Sequence, residues 1–197
     1  MEKIEGLIER ARRLKEKGLT TGEISDELNV SRDTALWLVS RARGDVTPPS
    51  DIYIEWRNLS SPFRLRNIAA TMADMILEAV EDEPEVVIGV ATSGVPIATM
   101  IAEELDVDLG IYYPKKLREE AGNDATGFFS GNYATVTDKK CVAIDDIVTS
   151  GNTLRELAKN VKKKDGDLLC AAVIIDKMGL TEIEGFPVLS SLKIMRL

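Results

Sequence analysis

The chain has 197 residues and a formal charge of −8. That is enough for one medium α/β domain with a small appendage, and too acidic overall for a surface coated with nucleic acid. It contains no histidine, which excludes a His-based triad, His-ligated zinc and the commonest general base. No run of 18 apolar residues occurs, and the charged opening MEKIEGLIERARRLKEK lacks a signal-peptide core. The expectation is a cytoplasmic protein without a membrane span. The two cysteines, Cys141 and Cys170, sit in apolar runs and are expected as buried, reduced thiols.

The charge is unevenly spread. Residues 1–45 carry nine basic and nine acidic side chains, and the remainder carries sixteen against twenty-four. A neutral, arginine-bearing head on an acidic body can still bind DNA if its arginines share a face. The break falls at RGDVTPPSD (43–51), where Gly44 can end a helix and Pro48-Pro49 cannot continue one. The expected division is a head at 1–45, a linker and hood-like segment at 46–60, and a second domain at 61–197.

The head reads as three helices. The first covers about Ile4–Lys17, with Ile4, Leu7, Ile8, Ala11 and Leu14 on one face, closed by Gly18. The second is TTGEISDEL, opened by Thr20 or Thr21. The third is SRDTALWLVSRARG, capped by Ser31. Between the last two lies Leu28-Asn29-Val30-Ser31, a tight apolar turn in which Asn29 can take positive φ. The spacing resembles a helix-turn-helix, with Ser25 at the crossing and Leu28, Val30, Ala35 and Leu38 inside. The outer face of the third helix would carry Ser31, Arg32, Asp33, Thr34, Trp37 and Arg41. A recognition helix presents such N-terminal residues to base edges. Arg32 would read a guanine, Thr34 or Trp37 a thymine methyl, and Thr20, Thr21 and Arg43 would meet phosphates. The alternative use is a helical bundle for dimerisation or docking, with Trp37 packed on the second domain.

After the break, strand-like and helix-like stretches alternate. SPFRLRNIAATMADMILEAV (61–80) is a helix with Leu65, Ile68, Met72, Met75, Ile76 and Ala79 as its buried stripe. Val86–Val90 is a buried strand, ATSGVP a turn, and Pro96–Glu104 a helix. DLGIYY (108–113) is a further element, followed by a long polar loop. KCVAID (140–145) is a strand, GNTLRELAKNVKKK a helix, and LLCAAVIID (168–176) another strand. The alternation predicts a parallel sheet with helices on both faces.

Ligands of such sheets gather beyond the carboxyl ends of the strands, and two turns land there. In Thr149-Ser150-Gly151-Asn152-Thr153, consecutive backbone N–H groups precede a helix N-terminus and form an anion nest. Asp145 and Asp146 would repel that same anion. They suit a diol, or Mg²⁺ held through water. A sugar phosphate satisfies both demands. The second turn, Ala91-Thr92-Ser93-Gly94-Val95, would hold a second anion such as pyrophosphate.

The thirteen residues Cys141–Thr153 resemble the signature of the type I phosphoribosyltransferases: four apolar residues, Asp-Asp, two apolar, Thr-Ser-Gly, any residue, Thr. The resemblance covers roughly residues 60–180 and looks closest to the orotate enzymes. It implies that Asp145 and Asp146 hold the ribose hydroxyls of phosphoribosyl pyrophosphate (PRPP), that 149–153 bind its 5′-phosphate, and that Thr92, Ser93 and Gly94 bind its pyrophosphate. A non-proline cis peptide often occurs in that family's pyrophosphate loop. The family's mobile loop brings lysine and histidine over the leaving group. The corresponding stretch here, GNDATGFFSGNYATV (122–136), has no Lys, Arg or His. Lys115, Lys116 and Arg118 lie just before it. The late-strand arginine that contacts the base is replaced by Lys177. Trp56 and Arg57, in DIYIEWRNLS, stand where the orotate enzymes have a hood.

Losing cations over a leaving group costs rate more than affinity. A DNA-binding head joined to such a domain is similar, over the whole chain, to the archaeal orotate-phosphoribosyltransferase-like regulators, the GfcR family. It is analogous to the bacterial purine repressor, whose effector is PRPP. The resulting expectation is a homodimeric transcription regulator, not an enzyme. It would bind a palindromic double-stranded operator and sense PRPP or another sugar phosphate or nucleotide. It would need no obligatory cofactor, although Mg²⁺ would accompany PRPP. The alternative is an active orotate- or purine-type phosphoribosyltransferase with a helical oligomerisation head.

Overall fold

The computed structural model describes residues 4–40, 49, 51–117 and 126–194. It divides into two compact units, Met1–Trp56 with Lys116–Ala125, and Arg57–Lys115 with Thr126–Leu197. The first unit thus recruits a segment from far downstream, a feature that no shift of composition marks.

In the first unit, α1 spans Ile4–Glu16, α2 Thr21–Glu27 and α3 Arg32–Ser40. Thr20 opens α2 with a capping box, its hydroxyl accepting from the Glu23 amide while the Glu23 carboxylate accepts from the Thr20 amide. Such a cap contributes about 1 kcal/mol. The Ser31 hydroxyl accepts from the Thr34 amide at the start of α3. Between the two helices Asn29 has φ of 53°, and the Ser25 hydroxyl donates to the Val30 carbonyl at 2.8 Å. Leu7, Ile8, Ala11, Ile24, Leu28, Val30, Ala35 and Leu38 form the core. Ile4, expected on the buried face of α1, is instead 53% exposed. The segment after the Pro-Pro break closes over the head: Tyr53 packs on its core and accepts from Arg10, and Asp51 accepts from the Ser31 amide.

One placement is corrected. Trp37, expected on the outer face of α3, is only 8% exposed and belongs to the head's core. An indole buries more apolar area than any other side chain. The helix therefore turns Trp37 inward beside Leu38 and leaves Leu36, which the sequence reading passed over, 56% exposed. Arg41 and Arg43 lie outside the described residues.

The second unit begins with α4, Pro62–Ala79. Met72 and Ile76 are buried as expected and Ala69 and Ala73 join them, while Leu65, Ile68 and Met75 are half-buried and Ala79 is exposed. Then follow β1 (Val86–Val90), α5 (Gly94–Leu105), β2 (Asp108–Tyr113), β3 (Phe128–Phe129), β4 (Lys140–Val148), α6 (Asn152–Lys162), β5 (Asp167–Asp176), β6 (Glu182–Ile183) and β7 (Phe186–Lys193). Helix α5 starts two residues before the expected Pro96. The sheet order is β3-β2-β1-β4-β5-β7-β6. The five inner strands are parallel, and an antiparallel partner flanks each edge, β3 on β2 and β6 on β7. Along β1 the side chains alternate. Val86, Ile88 and Val90 join Leu154, Leu157 and Val161 of α6 on one face. On the other, Gly89 lets α5 approach so closely that a Cβ there would lie 2.9 Å from that of Ala98.

From β1 the chain crosses to β2, and from β4 it crosses the opposite way to β5. The strand order therefore reverses between β1 and β4. The turns leaving these two strands diverge to opposite faces and open a crevice at their carboxyl ends. Among the described residues no helix is long and apolar enough to cross a membrane.

Cys141 and Cys170 are fully buried and free. Burial pushes both thiols up to about 12, assisted at Cys141 by the Glu85 and Asp167 charges. At pH 8 both should be neutral and therefore unreactive. A disulfide-exchange reagent at that pH should modify neither in the native protein and both once the chain is unfolded in guanidinium.

Candidate functional site

The crevice is built from strand ends. Strand β4 continues to Val148, three residues past the expected end, so Asp145 and Asp146 lie within it. Asp145 is 7% exposed and its Oδ1 accepts from the Asp146 amide at 2.9 Å. Asp146 is half-buried and its Oδ1 accepts from the Ile147 amide at 2.8 Å. Each carboxylate is thus oriented by the next backbone N–H and retains acceptor capacity.

Immediately beyond comes the nest. Gly151 caps α6 with φ of 72°. A Cβ there would also lie 2.9 Å from the tip of the Ile183 side chain, which would have to shift. Thr149 and Thr153 are half-buried, Ser150 and Asn152 exposed. The Ser150 hydroxyl accepts from the Asn152 amide at 3.4 Å. Arg155 folds back over this turn, its Nη1 donating to the Ser150 carbonyl at 2.9 Å and to Asn152 Oδ1 at 3.0 Å. The sequence reading missed Arg155. Its signal is a cation one turn into the helix that follows a nest, where it adds positive charge to the helix dipole.

The second turn leaves β1. The Ala91–Thr92 peptide is cis. Thr92 and Ser93 are exposed, while Gly94, the first residue of α5, is buried. Gly94 faces β4: a Cβ there would lie 2.6 Å from the Ile144 carbonyl oxygen and 3.0 Å from Asp145 Cα. The structure therefore brings Gly94 against the first aspartate, and with it the turn expected to hold a second anion.

Lys177 follows β5, and its amide donates to the Val148 carbonyl at 3.0 Å, beside the root of the nest. The turn that carries it is shaped by Asp176. That residue is fully buried, with Oδ1 accepting from the amides of Met178 and Gly179. Lys115, just past β2, is exposed and its amide donates to the Glu156 carboxylate. Lys116 is committed elsewhere, its ammonium 2.6 Å from Asp26 in the head. The stretch 122–136 is not a free loop in its described part. Phe128 and Phe129 pair with Tyr113 and Tyr112 on the sheet edge, and Val136 is fully buried. Among the described residues no group of three or more His, Cys, Asp or Glu stands ready to hold a metal. A cation here would rely on ligand oxygens and water besides Asp145 and Asp146.

Two small-residue turns at helix N-termini flanking a carboxylate pair, at the switch point of a parallel sheet, are the arrangement of a phosphoribosyltransferase-type domain. The family description "Phosphoribosyl transferase domain" matches residues 56–195. Among solved structures, the orotate phosphoribosyltransferase of Aeropyrum pernix is 22% identical with a TM-score of 0.56, over 89% of this chain and 94% of that one. The adenine phosphoribosyltransferase of Rhodothermus marinus is 17% identical with a TM-score of 0.57, over 88% and 98%. These likenesses establish the fold. Over its whole length the chain is 55% identical to the transcriptional regulator GfcR of Archaeoglobus fulgidus, with both chains fully covered. It is 39% identical to that of Haloferax volcanii, over 100% of this chain and 98% of the relative. The chain belongs to the GfcR family of transcriptional regulators.

The contact at Gly94 gives a direct test. Gly94→Ala should force the α5 turn and β4 apart and cost about 1–3 kcal/mol in urea unfolding, read as a lower midpoint at unchanged slope.

Proposed function

We propose that this regulator binds a palindromic operator as a homodimer through a helix-turn-helix head. Its phosphoribosyltransferase-type domain senses PRPP or a related phosphorylated metabolite without turning it over. One observation carries the reading: the crevice keeps both anion turns and the carboxylate pair, yet Thr126–Val136 holds no cation and is tied into the sheet. Ground-state binding needs the turns and the aspartates. Turnover needs cations placed over a departing pyrophosphate.

In this reading Thr149–Thr153 hold the 5′-phosphate, with Arg155 on the rim. Asp145 and Asp146 take the ribose hydroxyls, and Thr92, Ser93 and Gly94 take the pyrophosphate. Lys115 and Lys177 supply positive charge at the margin. Mg²⁺ would arrive with PRPP and meet the aspartates through water. In the head, the exposed start of α3 supports DNA contact. Arg32 and Asp33 are exposed, and Ser31 and Thr34 half-exposed, with their hydroxyls 2.9 Å apart. Thr21 remains available to a phosphate, whereas the Thr20 hydroxyl serves the capping box. The inward Trp37 leaves the contact set, and Leu36 is the apolar group that α3 offers a thymine methyl instead.

The test is fluorescence anisotropy on a labelled fragment from upstream of the protein's own gene, at fixed moderate salt, with and without Mg²⁺–PRPP. The wild type should prefer this fragment to scrambled DNA, and PRPP should change its affinity about fivefold or more. Asp145→Asn/Asp146→Asn should abolish the PRPP effect and leave ligand-free DNA binding intact. Arg32→Ala should weaken specific binding by about 1–3 kcal/mol and relax discrimination at one base pair. Pyrophosphate release from PRPP with a nucleobase at about 1 per second or faster would mark an enzyme and overturn the sensor reading.

A further inference from the structure

The carboxylate of Glu156 is used in an unusual way. It lies one turn into α6, the helix whose N-terminus forms the nest. It accepts from the Lys115 amide at 3.0 Å and from the Gly127 amide at 2.8 Å. It also pairs with the hydroxyl of Tyr112, a fully buried residue whose phenol is pushed up by burial and by the Glu156 charge. Asn160, on the next turn of α6, donates to the same hydroxyl at 2.9 Å. A side chain at Gly127 would overlap both Tyr112 and Glu156. One carboxylate on the nest helix therefore grips both roots of the chain segment between Lys115 and Gly127.

That segment belongs to the other unit. Lys116, one peptide bond beyond the gripped amide of Lys115, is part of the head. There its ammonium bridges to Asp26 at 2.6 Å, and its carbonyl lies so close to Gly22 that a Cβ on Gly22 would stand 2.8 Å away. Gly22 and Asp26 lie one turn apart on α2, which leads through the Asn29 turn into α3.

We propose that Glu156 is a positioning residue for signal transmission, and that Lys115–Lys116 is a strap carrying the state of the nest helix to α2 of the head. A ligand that shifts or stiffens the start of α6 moves the Glu156 carboxylate. The Lys115 amide follows, and Lys116 passes the change to α2 through a short ion pair and a close backbone contact. A carboxylate holding three donors is a stiff joint, because releasing any one of them leaves a polar group unpaired. The strap deepens the sensor reading and rests on it for the identity of the ligand, but not for its own mechanics.

The experiment separates the two. Hydrogen exchange of the full chain, without ligand, is compared between wild type and Glu156→Gln in the peptide covering residues 20–28. The glutamine removes the negative charge and one of the two oxygens that accept from the Lys115 amide, so α2 exchange should quicken about threefold or more. In anisotropy, the PRPP-induced change in operator affinity should fall to within about twofold of none, while PRPP affinity by calorimetry stays within about threefold of wild type. Lys116→Ala, at the other end, should lose the same response with the same retained PRPP affinity, and the double variant should lose no more than either single.

Unchanged α2 exchange in Glu156→Gln overturns the strap. If that variant does not fold, Lys116→Ala decides, and a retained PRPP response there overturns the strap equally. If α2 exchange quickens but wild-type operator binding is indifferent to PRPP, the strap is supported and PRPP is rejected as the effector.

Discussion

The site depends on one close approach, that of Gly94 to β4. Neighbouring strands in a sheet are held about 4.8 Å apart, so β1 and β4 deliver their terminal turns side by side. The helix after β1 must then start almost on top of β4's backbone. Only a residue without a side chain allows it, since a Cβ would meet the Ile144 carbonyl and the Asp145 backbone. The buried Asp145 and the turn at 92–94 are therefore set by the same contact, and neither can move without the other. Gly89 sets the depth of α5 in the same way, against Ala98. Two glycines on one strand-helix unit thus decide where a second anion would sit relative to the carboxylates.

Much of this was legible in the sequence, for definite reasons. Asp145 and Asp146 end an apolar run, and the Thr-Ser-Gly-Asn-Thr turn precedes an amphipathic helix. Local pattern alone fixes a nest next to acceptors. The inner strands announced themselves as short apolar runs between turn residues, which is what burial on both faces produces. The turn of the head was equally plain, because Asn29 is a residue type that tolerates positive φ and Ser25 is small enough to sit at a crossing.

What stayed hidden depends on tertiary context. Strands β3 and β6 are two residues each, too short for any period to show, and β7 carries a proline and two serines that mask its pattern. The rotation of α3 is set by a competition between Trp37 and Leu36 for the core, which helical spacing does not resolve. Arg155 and Glu156 are adjacent and opposite in charge on an amphipathic helix whose other charges are Lys159 and Lys162, and nothing in that local pattern says that one rims the nest and the other grips two backbone amides. The recruitment of Lys116 to the head joins residues 90 positions apart, and no local rule reports such a contact.

The chain passes between its two units at 56/57, 115/116 and 125/126. A single flexible linker would let a ligand alter the second unit without the head experiencing any bias, because an unconstrained chain transmits little orientation. The proposed strap uses the crossing at 115/116, whose root at Lys115 is held by the Glu156 carboxylate, as is the Gly127 amide. A ligand shifts an equilibrium only by its differential affinity for the two states. That difference must be expressed in some group whose position changes with the ligand and is felt by the head. In the proposed strap that group is Glu156, which holds the amide of Lys115, the residue one peptide bond before Lys116. An enzyme has no use for such a connection, since its mobile segment must open and close over the substrate. In the proposed regulator the described part of that stretch, Thr126–Val136, is paired into the sheet, and the stiffness that would impede turnover there is what would let a binding event be communicated.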